Sequence, residues 1–130
     1  MKFDLSDICF YANNKVDVEK LTKNNYISTE NMKPNKGGVI KSTSLPSSAQ
    51  TRSYKEGDIL VSNIRPYFKK IWFAKGSGGC SNDILVMRAK EGIAPKFLYY
   101  ILSDDAFFEY ATATAKGTKM PRGDKNAIMQ

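Results

Sequence analysis

The sequence predicts one α+β domain spanning residues 1–130, built on a mostly antiparallel twisted sheet or partial barrel with a C-terminal helix pair packed on it. Three observations support this fold class. The centre of the chain has strand-length runs rich in β-branched and aromatic residues, the periodicity becomes helical after residue 94, and 130 residues is close to the usual size of one domain. The composition, 42% hydrophobic and 12% aromatic, is that of a globular protein.

The N-terminal part predicts only short elements. Asp4 or Ser6 can cap a helical turn that runs through Cys9, a second helical stretch covers residues 16–21, and residues 26–29 have strand composition. Residues 33–55 predict a long flexible surface loop, because this segment is rich in Ser and Thr and contains two prolines, with a short strand at Val39 and Ile40. Long loops in compact domains usually have a function.

The second half predicts strands followed by helices. Strands are expected at residues 57–64, 69–75 and 82–90, as neighbours in the sheet. The glycine-rich stretch 76–79 lies between two strands and predicts a hairpin turn, since a phosphate-binding loop leads from a strand into a helix. The first helix is predicted at 95–102, with Pro95 in its first turn, and Ser103 or Asp104 can cap a second helix that ends at Gly117.

The residue types exclude several kinds of site. With no histidine, the chain lacks a histidine general base, a Ser-His-Asp or Cys-His arrangement and a zinc site of the usual Cys/His kind. Cys9 and Cys80 are predicted to be packed free thiols. No apolar run approaches the roughly 20 residues of a membrane span, and acids near the N-terminus do not fit a secretory signal. We therefore expect a soluble cytoplasmic protein without membrane association.

The net charge of +7 is unevenly distributed. Residues 31–55 and 65–75 contain bases and no acid, and from residue 111 onward four bases accompany the single acid Asp124. Residues 83–110, by contrast, hold five acids and three bases. Segregated basic segments are typical of a surface that binds a polyanion, and solvated lysine-rich loops are the alternative interpretation.

The segment SNIRPYFKKIWF, residues 62–73, has the residue types needed to read a DNA groove. Arg65 can pair with guanine and Asn63 with adenine, and Tyr67 can make an apolar or stacking contact. Pro66 biases Arg65 towards an extended conformation. The alternative interpretation places the apolar residues of this segment in the core and leaves its charges solvated.

Basic residues inside and outside this segment are candidates for phosphate contacts. Arg52, in the long loop, is a candidate for either a phosphate or a base. The phosphate candidates are Lys69, Lys70, Lys119 and Arg122.

Asp58 and Asp83 are the carboxylates that a metal-dependent nuclease would use, but Asp58 follows Gly57 at a turn and no acid-x-Lys unit lies downstream. Structural roles at a turn and at the start of a strand are the prediction. A small nuclease is an alternative function, ranked third after DNA recognition and a regulatory interaction.

Four segments in order, GDILVSNIRPYFKKIWFA, CSNDILVMRAKEGIAPKFLYYIL, FFEYATATAKGT and KMPRG, together resemble the target recognition domain of the specificity (S) subunit of type I restriction-modification enzymes. The resemblance implies a domain that recognises double-stranded DNA and has no catalytic site or cofactor of its own. It implies partner subunits that carry the chemistry: a modification subunit that methylates adenine with S-adenosylmethionine, and a restriction subunit that uses ATP and Mg and cuts DNA.

In that family the segment after the basic turn enters a strand, then a long helix, and then a second recognition domain. The resemblance therefore implies a truncated product or an excised fragment, with Ile128 and Met129 at the start of a strand. Self-association through an exposed apolar edge is a further expectation. The alternative to DNA recognition is a regulatory fragment that docks on full-length restriction-modification subunits.

Overall fold

The computed structural model describes residues 4–116 and 123–129. Within these ranges the chain forms eight short strands and three helices. The strands are β1 (Cys9–Tyr11), β2 (Lys15–Asp17), β3 (Tyr26–Ile27), β4 (Gln50–Tyr54), β5 (Ile59–Ser62), β6 (Ile71–Phe73), β7 (Gly78–Cys80) and β8 (Ile84–Ala89), and the helices are α1 (Pro95–Leu102), α2 (Asp105–Thr114) and α3 (Lys125–Ile128).

The strands form two four-stranded sheets. The first has the order β1-β8-β5-β6 and is antiparallel throughout, and the second has the order β2-β4-β7-β3, in which only β3 and β7 run parallel. The α+β prediction is confirmed, with a mostly antiparallel architecture that is not closed into a barrel. The structure differs in one respect, because the strands divide between two sheets.

The first sheet lies between the helices and the second sheet. Alternate residues of β5 point to opposite sides: Ile59 and Val61 join the core that contains Leu98 and Phe108 of the helices, whereas Leu60 joins the core that contains Cys80 of β7. Covering on both faces explains why this strand is a continuous apolar run and not an alternating one. No helix in the described part of the chain is long and apolar enough to span a membrane.

The helix pair was predicted closely. Helix α1 begins at Pro95 and ends at Leu102, and the Asp104 side chain caps α2 by accepting a hydrogen bond from the Ala106 N–H at 2.9 Å. The predicted end of α2 was wrong, because the helix ends at Thr114 and the next residue is already extended. Gly117, which was expected to end it, lies outside the described residues.

Two predictions in the middle of the chain were wrong. The long loop predicted at 33–55 ends earlier, because residues 50–54 form β4. The stretch 76–79 is not a hairpin turn, since Gly78 and Gly79 belong to β7 in the second sheet. A Cβ atom on Gly78 would overlap the Asn25 carbonyl oxygen and the Tyr54 hydroxyl, so close packing in the sheet requires glycine there.

The short terminal elements also differ from expectation. Residues 5–7 form a 3-10 turn, Cys9 already begins β1, and residues 16–21 divide between β2 and a second 3-10 turn instead of forming a helix. Only residues 26–27 of the predicted strand at 26–29 pair, and Val39 makes an isolated bridge with Met32. Ile128, expected at the start of a strand, ends α3.

The predicted structural roles of Asp58 and the cysteines are confirmed. Asp58 is 1% exposed, and its two carboxylate oxygens accept hydrogen bonds from Nε and Nη2 of Arg88, each at 2.8 Å. Cys9 and Cys80 are buried free thiols, and burial raises their pKa values to about 11 and about 12.

Candidate nucleic-acid interface

The turn between β5 and β6 carries four of the candidate DNA-binding residues, Arg65, Tyr67, Lys69 and Lys70. Pro66–Phe68 form a 3-10 turn, and the residues on either side of it, Arg65 and Lys69, have left-handed backbones with φ of 49° and 55°. The predicted extended conformation of Arg65 was wrong. Proline disfavours the right-handed helical region for the preceding residue, and the left-handed region is the alternative that reverses the chain here.

A second loop fixes this turn from outside the strand pair. The N–H groups of Asn35 and Lys36 donate to the carbonyl oxygens of Phe68 and Lys69, both at 2.7 Å. Asn35 and Lys36 also have left-handed backbones, with φ of 55° and 61°. The first part of the loop predicted at 33–55 is therefore docked on the candidate turn by main-chain hydrogen bonds, which do not depend on side-chain identity.

The lysines of the two loops contact polar groups of the protein itself. Lys36 Nζ and Lys69 Nζ lie 2.9 and 3.0 Å from the same carboxylate oxygen, Oδ1 of Asp105, the first residue of α2. Hydrogen bonds from Lys36 and Lys69 hold the pKa of Asp105 below its ordinary value. Lys70 Nζ donates to the Thr29 carbonyl oxygen at 2.7 Å and lies 5.9 Å from the centroid of the Phe68 ring.

Two exposed aromatic rings occupy the tip of the turn. Tyr67 and Phe68 are 46% and 41% exposed, and their ring centroids are 4.9 Å apart in an edge-to-face arrangement. Tyr67 also lines a shallow, mainly apolar surface cavity of about 370 Å³ together with Phe108 and Thr112 of α2. Exposed aromatic surface beside lysines can make apolar contact with bases while the lysines contact phosphates.

Asn63 lies below this surface. It is 9% exposed, and its Nδ2 donates to the Gly123 carbonyl oxygen at 3.1 Å, while the Gly123 N–H donates to the Asn63 carbonyl oxygen at the same distance. Its own N–H donates to the Asp83 carbonyl oxygen at 2.8 Å. In this conformation Asn63 joins the end of β5 to the segment that begins at Gly123, and its Nδ2 is engaged within the protein.

Arg52 lies on β4 and not in a loop, but its guanidinium reaches the end of the first sheet where β5 leads into the turn at residues 66–68. Nη1 donates to the Ile84 carbonyl oxygen at 2.7 Å, and Ile84 pairs with Ser62, the last residue of β5. Partial burial, followed by the positive charge of Arg52, lowers the pKa of Lys125. Lys125 Nζ lies 4.9 Å from the centroid of the Tyr11 ring.

The structure therefore brings together Arg65, Tyr67, Lys69 and Lys70 in one turn, and it places the Arg52 guanidinium at the end of the strands that carry this turn. Lys119 and Arg122 lie outside the described residues. Sequence reasoning missed Lys36 as a member of the site, although it lies in the acid-free stretch 31–55 that the charge pattern had marked. It also missed Asp105, whose contacts with Lys36 and Lys69 depend on the folded chain.

Comparison with known proteins identifies the fold. No protein-family model matches the chain, and no curated protein matches it. Among solved structures, a chain from a study of complex assembly and conformational transition in the type I R-M system has 24% identity and a TM-score of 0.75 over 98% of this chain and 35% of that chain.

Two S subunits have a similar fold. The HsdS subunit from Thermoanaerobacter tengcongensis has 23% identity and a TM-score of 0.72, over 98% of this chain and 35% of that one. The type I restriction-modification S subunit from M. genitalium has 15% identity and a TM-score of 0.63, over all of this chain and 32% of that one. The chain thus shares its fold with about one third of each of these structures.

Proposed function

We propose that this chain is a target recognition domain of a type I restriction-modification specificity subunit, and that it recognises double-stranded DNA by sequence without a catalytic site of its own. The observation that carries the proposal is the cluster formed by Arg65, Tyr67, Lys69 and Lys70 with Lys36 docked beside it, on a fold shared with S subunits. Cationic groups that fold together from distant segments are the expected footprint of a protein that binds nucleic acid.

Each side chain of the cluster has a proposed role. Lys36, Lys69 and Lys70 bind backbone phosphates, which position the domain on the duplex. Arg65 presents its guanidinium to a base edge, with guanine as the best partner, and Tyr67 makes apolar contact with a base.

The remaining candidates have proposed roles outside the turn. Arg52 binds a phosphate or a base at the end of β5 and β8, and Lys119 and Arg122 add phosphate contacts. Asn63 supports this end of the sheet through Gly123 and makes no base contact unless that hydrogen bond opens.

The proposed partners are a modification subunit that methylates DNA with S-adenosylmethionine and a restriction subunit that uses ATP and Mg, in the cytoplasm. In this arrangement the domain selects the sequence and the partner subunits hold all the cofactors. Self-association remains a secondary proposal. If the chain instead co-elutes with intact partner subunits and binds no duplex at low salt, it acts as a docking fragment.

Selection of bound duplexes from a random pool at two salt concentrations tests the proposal. Enrichment of a short half-site is the expected result. About five phosphate contacts give a slope of log K against log salt near −4 to −5. Replacing Lys69 and Lys70 together by Gln should make the slope less steep by about 2 units, because two phosphate contacts are lost.

A matched control is the double replacement of Lys20 and Lys23 by Gln, since both lysines are exposed and distant in sequence from the turn. This variant should keep the slope within about 0.5 of the wild-type value. Binding that does not respond to salt would contradict the phosphate roles. A pool in which no sequence is enriched after selection would contradict base recognition.

A further inference from the structure

The lysine pair carried by the two docked loops, Lys36 and Lys69, already binds an oxyanion, the carboxylate of Asp105. A single oxygen, Oδ1, lies within 3.0 Å of both Lys36 Nζ and Lys69 Nζ. Two ammonium groups that converge on one oxygen form the arrangement that also suits a phosphate oxygen. The Asp105 side chain is 60% exposed and each lysine side chain about one third exposed, so an incoming oxyanion can reach the site.

The backbones that carry the two lysines are held together without Asp105. The hydrogen bonds from Asn35 and Lys36 N–H groups to Phe68 and Lys69 carbonyl oxygens join the two loops through the main chain. The start of α2 is likewise held by the Asp104 cap on Ala106. The Asp105 side chain can therefore move away while the backbones of Lys36 and Lys69 stay in place, so that both ammonium groups remain within reach of one incoming oxyanion.

We propose that Asp105 is an internal counterion in an anion site formed by Lys36 and Lys69, and that a backbone phosphate of DNA displaces it on binding. This inference rests on the proposed function and adds that the Asp105 carboxylate competes with the DNA phosphate for the two lysines. The carboxylate offsets the repulsion between the two lysines in the free protein, and each duplex must displace it. Asp105 thus weakens binding to every duplex and limits retention on DNA that lacks the target sequence.

The test compares the wild type, Asp105→Asn and Glu91→Gln for binding to a short random-sequence duplex and, separately, to tripolyphosphate, at low salt. Glu91 is exposed and follows β8, so its replacement makes the same change in net charge away from the lysine pair. We expect Asp105→Asn to bind both probes about three- to tenfold more tightly than the wild type, from the loss of two exposed ion pairs. Glu91→Gln should give less than half of that gain.

A further comparison shows whether the gain in affinity depends on the two lysines. In a Lys36→Gln and Lys69→Gln background, Asp105→Asn should give no gain over its own parent. Equal effects of Asp105→Asn and Glu91→Gln, or weaker binding by Asp105→Asn, would overturn the inference, since the carboxylate would then act as a remote charge or as a support for the loops.

The two probes separate this inference from the proposed function. If no variant binds duplex while Asp105→Asn gains affinity for tripolyphosphate, the anion site stands and the proposed function fails. If the wild type binds duplex and Asp105→Asn gains nothing with either probe, the proposed function stands and the role of Asp105 is refuted.

Discussion

Replacing Asp58 by Asn should destabilise the domain strongly. Asp58 is 1% exposed at the start of β5, where its carboxylate accepts two hydrogen bonds from Arg88 at 2.8 Å and one from the Lys55 N–H at 2.9 Å. The hydrogen bond with this carboxylate also raises the pKa of Arg88. Asn has the same shape, but it presents an NH2 group to a donor of Arg88 and removes the countercharge.

The magnitude follows from the burial of the two partners. Removing one partner of a buried ion pair costs about 3–5 kcal/mol. Because the Arg88 side chain is 20% exposed and can recover some hydration, we expect the lower end, about 3 kcal/mol. This is a large part of the roughly 5–15 kcal/mol that stabilises a typical domain.

Urea unfolding measures this change. The single tryptophan, Trp72 on β6, packs edge to face against Tyr54 of the second sheet with ring centroids 5.6 Å apart, so its fluorescence reports on the packing of the two sheets. Glu56→Gln is the matched control, since Glu56 is exposed two residues away and its replacement makes the same charge change. That variant should stay within about 0.5 kcal/mol of the wild type.

A loss below about 1 kcal/mol for Asp58→Asn would refute the reasoning, because it would show that the buried pair gives little net stability. Adding Arg88→Met to Asp58→Asn should recover part of the loss, since no unpaired charge then remains. The variant also tests the nuclease alternative. Metal-dependent plasmid cleavage by the pure protein that disappears in a normally stable Asp58→Asn variant would support that alternative.

Three further outcomes are expected. Gly78→Ala should lower the free energy of unfolding in urea by at least about 2 kcal/mol, because the new Cβ overlaps the Asn25 carbonyl oxygen and the Tyr54 hydroxyl. Gly76→Ala is the control and should be close to neutral, because its Cβ would face open space. Cys80, with a pKa of about 12 from burial, should react with a disulfide reagent at pH 8 only after unfolding in urea, and rapid reaction of the folded protein would contradict its burial. Asn63→Ala should cost about 1–2 kcal/mol by removing the buried hydrogen bond to the segment at residue 123. It should leave the selected DNA sequence unchanged, and loss of the preference for one base pair would show that this amide does reach the duplex.

The elements predicted well are those whose signal is local. Helix α1 has proline in its first turn and apolar residues at helical spacing, and β5, β6 and β8 are apolar or aromatic runs of strand length. Strands β4 and β7 of the second sheet were missed because they have little apolar character: β4 reads QTRSY and β7 reads GGC. Such segments become strands through pairing with distant partners, which propensity alone does not reveal.

The candidate site shows the same division. The composition of the turn at 66–68 and its flanks identified Arg65, Tyr67, Lys69 and Lys70 as neighbours, because they are close in sequence. The burial of Asn63 could not be predicted, since it depends on a hydrogen bond to Gly123, sixty residues later. The sharing of one Asp105 oxygen by two lysines likewise depends on how α2 packs against the loops.

The interleaving of the two sheets along the chain has a consequence for biosynthesis. β1 cannot pair until β8 has been made, because Cys9 aligns with Ala89, and β2, β3 and β4 of the other sheet are made in between. At about 5–20 residues per second, the nascent β1 waits on the order of 4–16 s for its neighbour. Chaperone supply and growth temperature should therefore govern the yield of native protein, since unpaired edges stay open to aggregation throughout that interval.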